Sequence, residues 1–398
     1  MNKFHIEVGE EHVVAQGENT GWGNYQFPGL FYTKSGSLYA LWQMRPDTCE
    51  AYQGKGYGEA VSDDMGVTWR ERRESDIVLA GVPLKNGKQF KGFSRQFLFS
   101  ADYMKNYTPV VEYKNYKFYF LEDIKEYEDK VEGVEIDVNS GAETTFEAKL
   151  IWNNLSLVQF PDGKILPTVY QLAVCGSAPK IILRLSDGLY FASYHRSFDI
   201  HAKNREDAIK PSFLDFSVFI FRSTDEARTW ECISEITADE SIYNTEEGYE
   251  GLDEPQMELM ADGSVVILMR TGSWHPSYIA RSTDNCRTWS KPKQFDRIGV
   301  FPQIKRLGCG VTLASYGRPG LFVRATDDES GQVWQDPIEI KLSESGTPLW
   351  DRSCSYTDLL PIDDYSAWLI YSDFYHPDVH TGKPQKSIIV RKLTVVKE

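Results

Sequence analysis

The chain has 398 residues, of which 41% are hydrophobic, 13% aromatic and 25% charged, a composition typical of a folded globular protein that excludes a disordered one. Its formal net charge of -15 at pH 7 and its lack of a basic run argue against nucleic acid or an anionic membrane as the main partner. No stretch approaches the length and apolarity of a membrane span. The first residues contain no apolar signal region, so we expect a cytoplasmic protein, or a secreted one if a signal has been removed.

Short apolar runs separated by tight turns follow one another along the chain. The first run, residues 31–42, turns at Gly36, and later runs turn at the Asp-Gly pairs 162–163, 187–188 and 262–263. Asp-Gly between two apolar runs is the strongest short signal of a β-hairpin, and no long helical periodicity competes with it. The sequence therefore predicts an all-β fold.

One phrase, Ser-x-Asp-x-x-x-Thr-Trp, recurs along the chain. It occupies residues 62–69, 223–230 and 282–289, and a looser copy with two extra residues runs from Ala325 to Trp334. An internal repeat indicates an array of equal structural units. In each copy the Asp carboxylate can accept backbone N–H groups of a tight turn, and the Trp begins the next strand.

The repeated phrase resembles the Asp-box, and the chain is similar to the sialidase superfamily, whose propeller blades carry such boxes between their third and fourth strands. The resemblance implies a single domain over 1–398, a six-bladed β-propeller of four-stranded antiparallel blades, with room for a seventh blade in 93–180. An N-terminal strand within 4–15 is expected to close the last blade. The predicted blades lie near 24–76, 93–180, 181–237, 252–297, 301–342 and 353–397.

The segment 252–270 is similar to the sialidase stretch in which Glu-Pro-Gln opens a blade and an Arg ends its second strand. The resemblance implies that Glu254 activates a tyrosine nucleophile and that Arg270 is one of three arginines that bind a substrate carboxylate. Tyr356 matches the nucleophile. A neutral phenol avoids the repulsion that a carboxylate nucleophile would meet beside an acidic sugar, but its ordinary pKa of about 10 means that it needs a base.

The resemblance also implies the remaining site residues. Arg318 matches the next substrate arginine, and Tyr316 is expected beside it in the mouth of the propeller. Asp47 matches the general acid, with Glu50 in reserve, and Arg45 matches an arginine that often precedes the acid. Any one of these could be an ordinary surface charge.

One position departs from the family. Where sialidases have Tyr-Arg-Ile-Pro, this chain has Gln26 in place of the arginine. Loss of a bidentate contact to a buried carboxylate could cost a few kcal/mol. Either Arg45 or Arg352 replaces the missing arginine, or the substrate is a different or neutral sugar, or catalysis has been lost.

Three functions follow from these residues. The first is a retaining exo-glycosidase that removes a terminal, acidic sugar from an oligosaccharide or glycoconjugate. The second is a propeller lyase or hydrolase for uronic acid or deoxy sugars that uses His195 with a tyrosine, although such a His is more often a packed, hydrogen-bonded residue. The third is a non-catalytic carbohydrate- or protein-binding propeller.

The six cysteines are scattered, without Cys-x-x-Cys or His-Cys metal spacing. In a chain without an export signal this pattern favours buried free thiols in a reducing compartment. The sequence also has no zinc-protease motif, phosphate-binding loop or EF-hand loop. We therefore expect neither a metal site nor a cofactor.

Overall fold

The structure is a computed structural model. It describes residues 4–18, 21–46, 56–95, 101–113, 116–120, 123–124, 130–151, 156–159, 165–167, 182–195, 215–244, 246–341, 353–378 and 380–397. Within these ranges the regular structure is almost entirely β-strand, with one four-residue helix, α1 (Ala101–Met104). None of the helical structure in these ranges is long and apolar enough to cross a membrane.

The strands in chain order are β1 (Phe4–Val8), β2 (His12–Gly17), β3 (Asn24–Tyr32), β4 (Leu38–Met44), β5 (Tyr57–Ser62), β6 (Val82–Pro83), β7 (Gln89–Arg95), β8 (Val111–Tyr113), β9 (Tyr116–Phe120), β10 (Lys130–Ile136), β11 (Glu143–Ile151), β12 (Ser156–Gln159), β13 (Ile165–Pro167), β14 (Ile182–Leu185), β15 (Gly188–His195), β16 (Ser217–Ser223), β17 (Thr229–Ile236), β18 (Tyr249–Leu259), β19 (Val265–Gly272), β20 (Ser277–Ser282), β21 (Lys293–Asp296), β22 (Val300–Arg306), β23 (Thr312–Gly317), β24 (Leu321–Thr326), β25 (Ile338–Lys341), β26 (Thr357–Asp363), β27 (Ser366–Pro377) and β28 (Pro384–Lys397).

Antiparallel sheets follow one another along the chain. Strands β14 to β17, β18 to β21 and β22 to β25 pair in sequence order, β3 to β5 form a three-stranded sheet, and β26 to β28 form the core of the last sheet. The first strands of consecutive sheets lie side by side, since β18 contacts β22, β22 contacts β26, and β26 contacts β3. Sheets whose first strands surround a common axis form a β-propeller, as the sequence predicts. The number of blades stays a prediction.

The segment 93–180 differs from the expected single blade. Strands β6, β7, β10 and β11 belong to one sheet with β14 to β17, because β11 pairs in parallel with the outer strand β17. Strands β8, β9, β12 and β13 form a separate sheet. The unpaired edge of β17 accepts the added hairpin, and Phe90 and Phe93 then pack on Trp230 from the repeated phrase.

Both N-terminal strands close the last sheet. β1 and β2 each pair antiparallel with β28, so the closing strand predicted within 4–15 is confirmed and extends to Gly17. The turn between them carries Glu11, whose carboxylate accepts a hydrogen bond from Tyr371 at 2.9 Å and lies 2.8 Å from the Lys341 ammonium. Backbone pairing and a partly buried ion pair thus fasten the two ends of the chain together.

The repeated phrase forms the predicted turn. The carboxylates of Asp64, Asp225 and Asp284 accept the backbone N–H four residues later at 2.8, 2.8 and 2.9 Å. In the fourth copy the carboxylate that binds the turn is Asp328, not Asp327 as the sequence suggested. Thr326 then matches the Ser of the other copies, so one extra residue separates it from Trp334, not two.

The cysteines that the structure describes are all unpaired, as predicted, while Cys49 and Cys175 lie outside the described residues. Burial, with a smaller contribution from nearby carboxylates, raises the pKa of Cys232 to about 12. Burial is also the main cause that raises the pKa of Cys286 to about 12. Both thiols are therefore packed side chains with little thiolate character.

The turn carboxylates should make stability depend on pH. Partial burial acts to raise the pKa of Asp284, but hydrogen bonds from Thr288 and Ser282 outweigh it and lower the pKa to about 2. Because the unfolded value is about 3.9, the stabilisation is complete above pH 4 and is lost as the pH falls towards 2. We expect Asp284→Ala to lower the free energy of unfolding by roughly 1 kcal/mol at pH 7.

Urea unfolding of Asp284→Ala at pH 7 and pH 3 measures this effect, with the exposed Asp336→Ala as control. The difference between Asp284→Ala and the wild type should shrink at pH 3. An equal difference at both pH values would mean that the charge of Asp284 does not contribute to the turn.

Candidate active site

In three sheets the first strand is bent at a residue that precedes proline. These strands are β3, β18 and β22. Phe27, Glu254 and Phe301 have φ angles of 51, 44 and 43°, and each is followed by Pro. The pairing of each strand with its neighbour shifts register there. A bulge of this kind bends the strand and redirects a side chain, and a non-glycine residue in left-handed conformation costs about 1–3 kcal/mol.

The three redirected side chains converge on Tyr356. Phe27 meets the Tyr356 ring edge to face, with 4.7 Å between ring centroids, and Phe301 stacks on it at 4.6 Å. Glu254 accepts a hydrogen bond from the Tyr356 hydroxyl. Ser355, just before Tyr356, has a φ of 60°. The phenol is therefore held by contacts from three other strands, and the structure brings together the predicted tyrosine and glutamate.

Glu254 is fixed by further donors. Its Oε2 accepts the backbone N–H of Phe301 at 2.7 Å, and its Oε1 accepts Nη1 of Arg270 at 2.8 Å. The same Nη1 lies 3.3 Å from the Tyr356 hydroxyl. Charge-assisted hydrogen bonds of this kind keep a buried carboxylate in one orientation. Glu254, Arg270 and Tyr356 thus form one hydrogen-bonded unit.

Tyr356 is a neutral phenol in this environment. Burial raises its pKa well above the ordinary value, and the negative charge of Glu254 adds to the rise, while the cations Arg270 and Arg318 oppose it. A phenol that stays protonated attacks an electrophile only if a base removes its proton. The carboxylate of Glu254 is within hydrogen-bonding distance of that proton.

Arg270 is surrounded by three carboxyl groups. In addition to Glu254, its Nη2 donates to Glu250 at 2.8 Å, and its Nε lies 3.9 Å from Asp253, which is paired opposite it on β18. Burial acts to lower the pKa of Arg270, but these carboxylates together hold it well above its ordinary value. The charge of Arg270 is therefore balanced by acidic side chains of the protein itself.

Among the described residues, no group of three or more His, Cys, Asp or Glu side chains has the arrangement of a metal site.

Arg318 is different because its hydrogen-bond partners are neutral. Its Nη1 donates to Ser273 at 3.0 Å and its Nη2 to the carbonyl of Cys354 at 2.8 Å. The guanidinium lies 5.4 Å from the Trp22 ring centroid and 5.7 Å from that of Tyr356. Arg318 is only 8% exposed and forms no ion pair with an acidic residue in the described part of the chain. Within that part of the chain, Arg318 is therefore a buried cation without a counter-ion.

Gln26, at the position of the missing arginine, is fully buried. Its Oε1 accepts the backbone N–H of Gly23, and its Nε2 has no partner among the described atoms. Beneath the same turn lies Lys386, whose ammonium donates to the carbonyls of Gly21 and Asn24. Burial lowers the pKa of Lys386. No motif in the sequence predicted a role for this lysine, which lies on β28 of the last sheet.

Two predicted site residues have contacts outside this group. The Arg45 guanidinium stacks over the Tyr57 ring at 5.7 Å. Tyr316 was expected in the mouth, but it is fully buried between sheets and donates to Asp296. Side chains alternate along β23, and Tyr316 takes the face that packs on Phe295.

Other predicted residues fall where the structure gives no side chain. Asp47, Glu50 and Arg352 lie outside the described residues. His195 ends β15, but its side chain is outside the described part. His275 bonds the carbonyl of Glu247 at 3.1 Å, as a packed histidine does.

Sequence reasoning missed several residues of the group, chiefly Glu250, Asp253 and Phe301. Two signals could have found them. Three acids crowd into 250–254 just before Pro255, and an apolar residue followed by Pro recurs at Phe27 and Phe301. In the second signal, the residues that adopt the same backbone conformation have only the following proline in common.

No protein-family model matches the sequence, and no curated protein matches it. A solved protein of unknown function from Dyadobacter fermentans is 17% identical over 98% of this chain and 99% of that chain, with a TM-score of 0.62. That likeness concerns the fold alone. The alpha-L-arabinanase of Penicillium chrysogenum, complexed with arabinobiose, is 12% identical over 96% of this chain and 98% of that chain, with a TM-score of 0.48. A mutant of the NanB sialidase from Streptococcus pneumoniae is 14% identical over 97% and 70%, with a TM-score of 0.46.

The acids around Arg270 predict a large effect of removing its charge. Arg270→Met leaves Glu254 and its neighbours buried without a counter-ion, so we expect the free energy of unfolding to fall by roughly 3–5 kcal/mol. Arg270→Lys should recover part of the loss. Urea unfolding measures both, with the exposed Arg297→Met as a control that changes stability by less than about 0.5 kcal/mol. Equal stability of Arg270→Met and the wild type would contradict the ion-pair arrangement.

Proposed function

We propose that the protein is a sialidase-like retaining exo-glycosidase that hydrolyses a terminal, acidic sugar of an oligosaccharide or glycoconjugate. The observation that carries the proposal is the hydrogen bond from the partly buried Tyr356 phenol to the Glu254 carboxylate. The order of the sequence phrases that resemble sialidases supports it, because the residues they designate as nucleophile and base are the ones that meet.

In the first step, the Tyr356 oxygen attacks the anomeric carbon while Glu254 takes the phenolic proton. The glycosidic C–O bond breaks, and an acid protonates the leaving oxygen. Asp47, the acid implied by the sequence resemblance, lies outside the described residues. Arg270, 3.3 Å from the Tyr356 oxygen, stabilises the negative charge that develops as the proton leaves.

In the second step, water attacks the anomeric carbon of the glycosyl-tyrosine and displaces the Tyr356 oxygen. Glu254 returns its proton to that oxygen, which restores the phenol. Two displacements at one carbon retain the configuration of the sugar. Phe27 and Phe301 pack on the Tyr356 ring and limit its contact with bulk water between the two steps.

Recognition of an acidic group falls to Arg318 in this proposal. Arg270 is already neutralised by acids and Gln26 carries no charge, whereas the partners of Arg318 among the described residues are neutral. A carboxylate placed beside Arg318 would supply its counter-ion. The partly exposed Trp22 ring beside it offers a surface on which a sugar ring could stack.

A panel of aryl glycosides tests the proposal, with the sialic acid ketoside beside uronides, deoxy sugars and neutral hexosides. We expect release of the aryl group from one acidic glycoside. Glu254→Gln should lower kcat by roughly 10²–10⁴-fold, since it removes a general base, and Tyr356→Phe should abolish formation of a glycosyl-enzyme detectable by mass spectrometry. Exposed Glu246→Gln serves as the control. Turnover by Tyr356→Phe at the wild-type rate would rule the mechanism out.

The role of Arg318 gives a separate prediction. Arg318→Met should raise KM for an acidic glycoside by roughly 10–100-fold, since a charge-assisted contact contributes about 1.5–3 kcal/mol. The effect on kcat should be smaller, because Arg318 does not bond the Tyr356–Glu254 pair. Steady-state kinetics on the glycoside found in the panel measures the split. An unchanged KM would mean that the acidic group binds elsewhere.

A further inference from the structure

Trp274 is a large apolar side chain that the protein leaves in water next to the candidate site. It is 48% exposed and lies in the loop that joins β19 to β20. Ser273, the residue before it, accepts a hydrogen bond from Nη1 of Arg318 at 3.0 Å and from Nη2 of Arg270 at 3.4 Å. Single exposed apolar side chains are common on protein surfaces, so the surroundings of this one decide whether it has a role.

The backbone presents Trp274 in a conformation that a bulky residue ordinarily avoids. Its φ angle is 65°, in the left-handed region. Hydrogen bonds on both sides hold the loop in this shape, because the Thr271 hydroxyl donates to the carbonyl of Pro276 at 2.5 Å and His275 bonds the carbonyl of Glu247 at 3.1 Å. The exposed indole therefore stands on a fixed loop.

This loop lies at the same end of its sheet as the tyrosine site. β19 ends at Gly272, and Arg270, two residues earlier, is 3.3 Å from the Tyr356 hydroxyl. Arg318 is thus close to two tryptophans. The ring of Trp22 is 5.4 Å from its guanidinium, and Trp274 directly follows the serine that the same guanidinium bonds.

Further aromatic side chains continue from the loop. The Tyr249 ring packs edge to face on His275, with 6.0 Å between centroids, and Tyr243 packs edge to face on Tyr249 at 6.1 Å. Tyr243 is itself 42% exposed. We call Tyr243, Tyr249 and Trp274 the Trp274 surface. Its extent gives room for a sugar in addition to the one that Trp22 can accept.

The charge beside the Trp274 surface is negative. Residues 239–250 include five acidic residues and no basic one. This segment packs directly on the loop at Gly272, whose φ is +127° and where a Cβ would lie 2.0 Å from the carbonyl oxygen of Gly248, so only glycine fits. Glu250 is 39% exposed, and the nitrogen of Arg270 that bonds it also contacts Ser273. Acidic groups therefore border the Trp274 surface, whereas Arg318 is a cation.

An uncharged sugar matches these groups. The C–H groups on one face of a sugar ring stack on the negative face of an indole, and its hydroxyls donate to a carboxylate such as that of Glu250. A second anionic sugar would be repelled by the acidic segment. The surroundings of Trp22 and Trp274 thus suit sugars of different charge.

We propose that the Trp274 surface binds the sugar on the leaving side of the scissile bond and that this sugar is uncharged. The inference rests on the proposed glycosidase function. It assigns the terminal acidic sugar to Arg318 and Trp22 and the leaving sugar to Trp274. The substrates would then be oligosaccharides in which an acidic sugar caps a neutral one.

The test varies the group attached to the acidic sugar identified in the aryl panel, with galactose and fluoride as leaving groups. Fluoride has no ring that could stack. For Trp274→Ala we expect kcat/KM to fall roughly 3–10-fold with the galactose-linked substrate and less than about twofold with the fluoride. Trp274→Phe keeps an aromatic face and should retain most of the rate. An equal fall with both substrates, or no fall with either, would overturn the proposal.

Tyr365→Ala is the matched control. Tyr365 is 46% exposed and follows β26, whereas Tyr356 precedes the same strand, so the two tyrosines lie at opposite ends of it. The control should match the wild type with both substrates. If Tyr365→Ala reproduces the pattern of Trp274→Ala, the loss is not specific to the Trp274 surface and the proposal fails.

The charge of the leaving sugar gives a second comparison. The wild type should have a lower kcat/KM when glucuronic acid replaces galactose as the leaving sugar, and high salt should narrow the gap because it screens the acidic segment. Equal values, or a preference for glucuronic acid, would refute the uncharged leaving sugar.

Saturation-transfer NMR with galactose alone needs no turnover. Transfer from the wild type should be lost in Trp274→Ala and kept in Tyr365→Ala. If this pattern appears but no glycoside in the panel is hydrolysed, the glycosidase function fails and the sugar site stands. If hydrolysis is found while galactose shows no transfer and Trp274→Ala cleaves the galactose-linked substrate normally, the site is disproved and the function stands.

Discussion

Bulges at a residue that precedes proline, one in the first strand of each of three sheets, set the geometry on which the rest of the site depends. At Phe27, Glu254 and Phe301 the backbone adopts a left-handed conformation that side chains ordinarily avoid, at about 1–3 kcal/mol each. The regular pairing on either side of each bulge holds the strained residue in place. Because the bulges occur at the same level of neighbouring sheets, they turn three side chains to one point, where Tyr356 lies. In regular strands, each of these side chains would stand on one face of its own sheet, and the three could not point to one place.

The electrostatics of the site follow from that convergence. Arg270 lies among three carboxyl groups, of which Asp253 and Glu254 are almost fully buried, so a change at any one of them alters the electrostatic environment of the others. The arrangement separates two tasks between the arginines. Arg270 holds the acids and the tyrosine in place, while Arg318, over Trp22, has no acidic partner among the residues that the structure describes. Buried and hydrogen-bonded to Ser273 and the carbonyl of Cys354, Arg318 is pre-oriented, so binding of the proposed acidic group would need little reorganisation.

The parts of the structure that could be predicted are those with local causes. The turn at Asp64 depends on residues within eight positions, and the meeting of Glu254 with Tyr356 is carried by two short phrases that resemble sialidases. The direction of a side chain was harder to predict. Tyr316, for example, faces the core because of the pleat of β23. The hairpin of β10 and β11 pairs with an edge strand about eighty positions later, and no local pattern specifies such a partner. In the sequence, Glu250 resembles an ordinary surface glutamate. Only the structure shows the backbone hydrogen bonds to Phe216 on either side of Gly251 that fix its position.

The closure of the last sheet by β1 and β2 has a consequence for how the protein matures. Phe27 and Trp22 lie just after the closing strands, and Tyr356 opens the sheet that those strands complete. Tyr356 and Phe27, which packs on its ring, are therefore separated by more than three hundred residues in the sequence. Contacts at such sequence separation form late, after the cost of closing a long loop has been met. During synthesis, a ribosome-bound chain that lacks β28 cannot complete the sheet that Tyr356 opens, so we expect the contacts around Tyr356 to form only when the ring is complete.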